Sequence, residues 1–258
     1  MNRKRLRRHW DAFGRADPLW ANLTNEEKRG GRWAAEEFFR TGEDEIHEVL
    51  DFVTSLPVEV TFHRALDFGC GVGRLTQALA DRFDETWGVD IAPSMIEQAE
   101  RYNRHPDVCH YYLNDRSDLG SFDGGSFDFI YSNIVLQHMR PKDQRLALGE
   151  LVRVLAPAGL LVFQLPEAPL PAPEPVGWRQ RAKRWIKGNT PEVLLAGYRR
   201  AKRELTGFGK GPRMEMWGAP RGDVASHLEA LGTDVISVTP DRMAFGWSGF
   251  RYVAAKPA

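Results

Sequence analysis

Apolar positions follow two different periods along the chain. From Trp10 to Leu56 they recur at three- and four-residue steps, with Trp33, Phe38, Phe39, Ile46, Val49, Leu50 and Val53 in register, which predicts helices that pack one face inward. Past residue 60 short apolar runs bounded by turn residues take over. Strands are predicted at 65–68, Glu85 to Asp90, Val108 to Leu113, Phe127 to Ile134, Gly159 to Leu165, Asp234 to Thr239 and Arg251 to Ala255. Helical stretches alternate with them, including Lys142 to Leu155 and Asp223 to Leu231, so the expected architecture is a mostly parallel sheet with right-handed crossovers. The rhythm breaks at the proline-rich run PEAPLPAPEP. Four parts follow: a helical prelude (1–60), a core (61–165), an insertion (166–219) and a return to the sheet (220–258).

The first strand runs into the loop DFGCGVGR, where Gly69, Gly71 and Gly73 allow a tight turn and close approach of a ligand. Leu75, Ala78 and Leu79 then take helical spacing, and the helix N-terminus points unpaired N–H groups over the glycines. Asp67, two residues before the first glycine, can hold an ammonium group and would repel a pyrophosphate. A dinucleotide fingerprint needs glycine three residues after the second one, where this chain has Arg74. Asp90 ends the second strand seventeen positions beyond Gly73, near the offset of about 20 residues expected of a ribose-binding carboxylate. Ile91 to Met95 puts apolar residues beside it, with Pro93 at a helix start.

The D-x-G-x-G-x-G pattern and the order of strand ends resemble the class I S-adenosylmethionine-dependent methyltransferases of the small-molecule type. The resemblance covers about residues 60 to 165 most strongly. It implies a Rossmann-like, doubly wound α/β fold: a mostly parallel seven-stranded sheet with an antiparallel last strand, an N-terminal helical segment and a helical insertion after strand five. It implies S-adenosylmethionine as cofactor, leaving S-adenosylhomocysteine, held by Asp67, Gly69, Cys70, Gly71, Gly73, Arg74, Asp90, Ile91, Met95, Asp115, Arg116, Ser132 and Gln137. In that set Asp115 would accept from the adenine amino group and the Arg116 N–H would meet a ring nitrogen. The segment EEFFRTGEDEI resembles one that folds over the cofactor, so that Phe39 and a turn at Thr41 and Gly42 would touch it; the competing reading makes Phe38 and Phe39 plain core.

The expected activity is methyl transfer to a small-molecule acceptor, with oxygen as the favoured nucleophile and in-line displacement as the mechanism. His138, just past strand four, is the candidate base, against a reading in which it only orders the turn. After strand four the chain has Ser132, Asn133, Ile134 and Val135 instead of an Asn/Asp-Pro-Pro-aromatic turn, which disfavours nucleobase and amide acceptors. No carboxylate cluster for a divalent ion follows Asp128, and His47, His63, His105, His110 and His227 lack ligand spacing, so no metal is expected. The rivals are a nicotinamide-dependent oxidoreductase and a noncatalytic partner that keeps the fold.

Lysine plus arginine equal aspartate plus glutamate at 35 each, so the chain as a whole draws neither nucleic acid nor an anionic membrane. Charge is local instead. The window 166–219 holds eleven basic and five acidic residues, read first as a solvated face with some substrate contact, second as a lid over an acidic acceptor, third as an RNA contact. Residues 3–8 carry five basic side chains and are read first as a solvated, frayed terminus and second as a membrane or nucleic-acid contact. Cys70 and Cys109 form no C-x-x-C pair, no run is long enough to span a membrane, and the N-terminal stretch lacks a signal peptide's apolar core. A reducing cytoplasm is the expected location; the pattern sets no oligomeric state.

Overall fold

The structure, a computed structural model, describes residues 3–171, 212–241 and 246–258. Most of the helical insertion expected after strand five, residues 172–211, lies outside the described residues. Strands β1 (Arg64–Phe68), β2 (Glu85–Asp90), β3 (Cys109–Leu113), β4 (Phe127–Ser132), β5 (Leu155–Pro169), β6 (Asp234–Pro240) and β7 (Trp247–Ala255) form one sheet in the order β3-β2-β1-β4-β5-β7-β6. β7 alone runs antiparallel to its neighbours, pairing with both β5 and β6. This is the seven-stranded Rossmann-like arrangement that the family resemblance implied.

Alternate residues of the central strands feed two helical layers, as a doubly covered parallel sheet requires. Phe129 and Tyr131 of β4 and Leu160 and Val162 of β5 pack on the side of helices α3 (Ala35–Thr54) and α4 (Arg74–Leu79), with Ile46, Val49 and Leu79. Ile130, Leu161 and Phe163 face the other way, against Leu148 and Leu151 of α6 (Pro141–Val154) and Leu228 of α7 (Arg221–Ala230). Because the parallel strands all end on one edge, the loops after β1, β2, β3 and β4 converge there. That edge carries the site.

Four expectations change. Residues 3–8 are not a frayed end: they open α1 (Arg3–Ala16), whose Leu6, Trp10 and Phe13 recur at helical spacing and pack on the molecule together with the half-buried Arg3 and Arg7, while Lys4, Arg5 and Arg8 are exposed. Five basic residues among six positions hid the stripe that Leu6 begins. Thr41 and Gly42 form no turn but lie inside α3. β4 stops at Ser132, because Ile134 turns to φ 61° and leaves the sheet. β5 runs four residues into the proline-rich stretch; Pro166 and Pro169 are accommodated because the ladder with β7 shifts register between Pro166 and Ala168, where a missing N–H costs no bond.

Helix α2 (Pro18–Asn22) and a 3-10 turn (Glu26–Lys28) link α1 to α3, and Phe38 and Phe39 are buried in a cluster with Leu19, Val72 and Met95. The core reading of that aromatic pair therefore holds. Helix α3 packs closely on α4 at Gly42: a Cβ there would lie 2.5 Å from the Arg74 carbonyl oxygen. Replacing Gly42 by alanine gains at most about 1 kcal/mol of helix propensity and overpacks the interface at a cost of about 1–3 kcal/mol. Gly42→Ala should lower the urea midpoint at unchanged m-value; an unchanged or higher midpoint would show that α3 can back away freely.

Candidate functional site

The loop after β1 folds back because Gly69, Gly71 and Gly73 all take positive φ (84°, 54° and 81°), which side chains other than glycine resist. The Gly69 and Cys70 N–H groups donate to the Val89 carbonyl at 2.8 and 3.0 Å, closing the loop onto β2. Gly73 then caps α4 in a left-handed conformation. One residue past Val89, the Asp90 carboxylate accepts from the Gly71 N–H at 3.1 Å and from the Ala92 N–H at 2.8 Å. One lone pair on each oxygen is thus committed and the other left over. Burial pushes the Asp90 carboxyl up to about 6.

A cleft of about 910 Å³, open mouth included, lies over this loop. Of the residues expected to bind a cofactor, Gly69, Cys70, Gly71, Arg74, Asp90, Ile91 and Met95 line it. Asp67, Gly73, Asp115, Arg116, Ser132 and Gln137 do not. Asp67 is buried beneath the loop, accepting from the Thr76 hydroxyl at 2.7 Å, and burial pushes its carboxyl up to about 7. Asp115 turns outward to Arg7 at 3.3 Å, and Arg116 pairs at the surface with Asp118 at 2.8 Å; their neighbour Asn114 lines the cleft instead. The Ser132 hydroxyl donates to the Phe68 carbonyl at 2.9 Å and fastens β4 to β1. Phe39, Thr41 and Gly42 stand behind the wall, with Thr41 accepting from Arg74 at 3.4 Å.

His138 lines the cleft and is buried. Its Nδ1 lies 2.7 Å from the Glu215 carbonyl oxygen, which only accepts, so Nδ1 carries the proton. Nε2 is then the acceptor, and the Gln137 amide donates to it at 3.2 Å. Burial lowers the imidazole to about 4. The ring meets Trp10 edge-on at 4.9 Å between centroids.

The residues that the local pattern missed come from the N-terminal helices and the turn after β4. Arg3 donates to the Asn114 and Asp115 carbonyls at 3.0 and 3.2 Å, Ser94 binds Asp11 through both its N–H and its hydroxyl, and Leu6 and Trp10 thereby form one wall of the cleft. Behind the opposite wall Glu45 of α3 receives Arg74 at 2.7 Å, the Tyr131 hydroxyl at 2.9 Å and the Asn133 amide at 2.6 Å. Only the apolar stripe of α1 could have been read ahead of the structure.

Residues 66–163 match a family described as a methyltransferase domain. Among curated relatives, the 2-methyl-6-phytyl-1,4-hydroquinone methyltransferase of Synechocystis is 27% identical over 183 residues, 70% of this chain and 52% of that protein. The malonyl-[acyl-carrier protein] O-methyltransferase of Salmonella typhimurium is 34% identical over 102 residues, 40% of this chain and 38% of that one. The chain therefore spans about half or less of these relatives' own length. A crystal structure of magnesium protoporphyrin IX methyltransferase from Synechocystis with bound S-adenosylhomocysteine superposes with a TM-score of 0.61 at 16% identity, covering 99% of this chain and 100% of that one. That likeness establishes a shared fold.

The two raised carboxyls set a pH dependence. A buried acid whose folded pKa exceeds its unfolded value adds stability below the unfolded value, near 4, and loses it as pH rises through the folded value, about 7 for Asp67 and about 6 for Asp90. His138, lowered to about 4, works in the opposite sense between roughly pH 6.5 and 4. Asp67→Asn removes the Asp67 share alone and can still accept from Thr76. In ligand-free thermal melts the variant's Tm advantage over the natural protein should grow from pH 4 to pH 7 and level off above. A constant offset across that range would mean that Asp67 is ionised at an ordinary pKa.

Proposed function

We propose that this chain, whose residues 66–163 match a methyltransferase-domain family, is an S-adenosylmethionine-dependent methyltransferase acting on a small-molecule acceptor, at oxygen. The observation that carries the reading is the Asp90 carboxylate, aimed by the Gly71 and Ala92 N–H groups at the end of β2, with lone pairs left for a vicinal diol. The donor set fits the whole cofactor. Ile91 and Met95 offer apolar surface for a base, the glycine loop admits close approach, and Arg74 lines the far end. A nicotinamide dinucleotide fits less well, because Arg74 occupies the third-glycine position and Asp67 lies buried beneath the loop on which a pyrophosphate would sit.

When bound, S-adenosylmethionine supplies a methyl group already activated on sulfonium, so the protein's task is to orient and to exclude water. Leu6, Trp10, Val135 and Met139 give the cleft an apolar side, suited to the body of an organic acceptor. His138 is poorly placed as a base: its free nitrogen receives the Gln137 amide, its other nitrogen is spent on Glu215, and burial depresses its basicity. It orders the turn after β4. The reaction then relies on proximity and on an acceptor oxygen that ionises without help, such as a carboxylate or an acidic hydroxyl. Cys70 and Cys109 are both buried and free, which supports a reducing cytoplasm as its location. Among the described residues no helix is long and apolar enough to cross a membrane.

Calorimetric titration with S-adenosylhomocysteine tests the cofactor, and a metabolite extract with isotopically labelled donor tests for transfer. Asp90→Ala, which loses about 1.5–3 kcal/mol of charged hydrogen bonding, should weaken S-adenosylhomocysteine about tenfold to hundredfold while the protein stays folded. Unchanged affinity would remove Asp90 from the site.

His138→Asn keeps a donor for the Glu215 carbonyl. It should hold turnover within about tenfold of the natural enzyme and lower Tm. A loss of about 10²–10⁴ in turnover with cofactor affinity intact would instead make the imidazole a general base.

A further inference from the structure

Helix α1 lies across the edge where the parallel strands end. Arg3 bonds the carbonyls just past β3, Asp11 holds Ser94 past β2, and Trp10 meets His138 in the turn after β4. At about 100° per residue, Leu6, Trp10 and Phe13 share the side turned to the molecule, while Lys4, Arg5 and Arg8 fall on the opposite side and are exposed. The outer surface of this edge is therefore cationic. Nearby acids are already matched to other arginines, Asp115 to Arg7, Asp118 to Arg116 and Asp11 to Arg15, and Lys4 and Arg8 make no ion pair among the described residues.

The same edge carries apolar surface. Of the three large hydrophobic side chains exposed among the described residues, Leu170 at 53% and Trp217 at 37% both lie here. Leu170 follows the end of β5, which runs parallel to β4. The Trp217 N–H donates to the Gln137 carbonyl in the turn after β4 at 2.7 Å, and its segment reaches α1 where the Arg213 N–H donates to His9 Nδ1 at 3.2 Å. Exposed basic side chains and an exposed tryptophan on one edge suit a bilayer interface, where lipid phosphates attract the cations and the indole sits at headgroup level. A nucleic acid would meet the charges equally well. The apolar part favours lipid: Leu170 stacks on no base, and the cleft at this edge has an apolar side of Leu6, Trp10, Val135 and Met139.

We propose that this edge docks on an anionic lipid bilayer and that the methyl acceptor is a lipophilic molecule drawn from it into the cleft. The proposal deepens the methyltransferase reading above and rests on it for the acceptor alone. Docking is peripheral. The apolar stripe of α1 is spent on the protein, so the helix meets lipid by its charges, each worth about fivefold in affinity near an anionic surface, with Trp217 and Leu170 adding apolar contact.

Flotation of the full chain with vesicles tests docking without cofactor or turnover. Vesicles of phosphatidylcholine with phosphatidylglycerol should bind the protein at low ionic strength, and molar salt, which shortens the Debye length to about 3 Å, should release it. Phosphatidylcholine alone, and the variant Lys4→Glu/Arg8→Glu on the anionic vesicles, should each bind about tenfold more weakly or worse. Trp217→Ala keeps every charge and should lose about threefold or more through its exposed ring surface. Both variants should keep S-adenosylhomocysteine affinity. Absence of binding to the anionic vesicles, or undiminished binding by either variant, overturns the docking surface; tighter binding of a single-stranded RNA oligonucleotide than of the vesicles overturns it in favour of a nucleic-acid contact. In the labelled-donor assay the methylated product should partition into organic solvent, and a product that stays in water overturns the lipophilic acceptor. Vesicle binding with no labelled product would count against the methyltransferase reading, whereas labelled product without vesicle binding would count against the docking surface alone.

Discussion

Glu45 joins three parts of the molecule that are distant in sequence. From inside α3 it binds the first residue of α4, the penultimate residue of β4 and the turn after β4. Arg74 and Glu45 are 3% and 19% exposed, so the charges attract across little water, yet both have been stripped of solvent. A pair of this kind adds little net stability, while losing one partner costs about 3–5 kcal/mol because the other charge is left stranded. Its effect is geometric. The close approach of α3 to α4 at Gly42 brings Glu45 within reach, and Glu45 then sets how the glycine loop and the β4 turn face each other across the cleft.

The electrostatics of the cleft follow from burial. Asp67 and Asp90 sit beneath and beside the glycine loop with carboxyls raised to about 7 and about 6, so without a ligand the protein keeps two reluctant anions. A cationic ligand in the cleft would relieve that cost. His138 responds to the same burial by remaining neutral. Desolvation thus suits a cationic ligand and lowers the basicity of His138.

Helix α1 shows how charge pattern and packing differ. Its basic residues suggest a nucleic-acid or membrane contact, but Arg3 and Arg7 are used within the molecule, on the Asn114 and Asp115 carbonyls and the Asp115 side chain. Asp115 is consequently turned from the cleft toward α1. The wall that an exposed β3 end would lack is supplied by Leu6 and Trp10, and the helix is anchored at its other end by the Asp11 contacts with Ser94.

The positions of the strands and the glycine loop with Asp90 were legible in the residues alone, because each depends on short-range regularities: alternation in a strand, a three- to four-residue step in a helix, an acid at a fixed distance from a loop. Phe129 and Ile130 face opposite layers because side chains alternate in any strand. The tertiary structure decided what depends on pairs far apart in sequence. Glu45 meets Asn133 across 88 positions and Arg3 meets Asn114 across 111, and no local period records either. The same limit explains Gln137 and Ser132, which look like ligand contacts from their place after β4 but turn to His138 and the Phe68 carbonyl. Sequence determines which residues arrive at the strand ends, and packing between remote segments decides which way their side chains point.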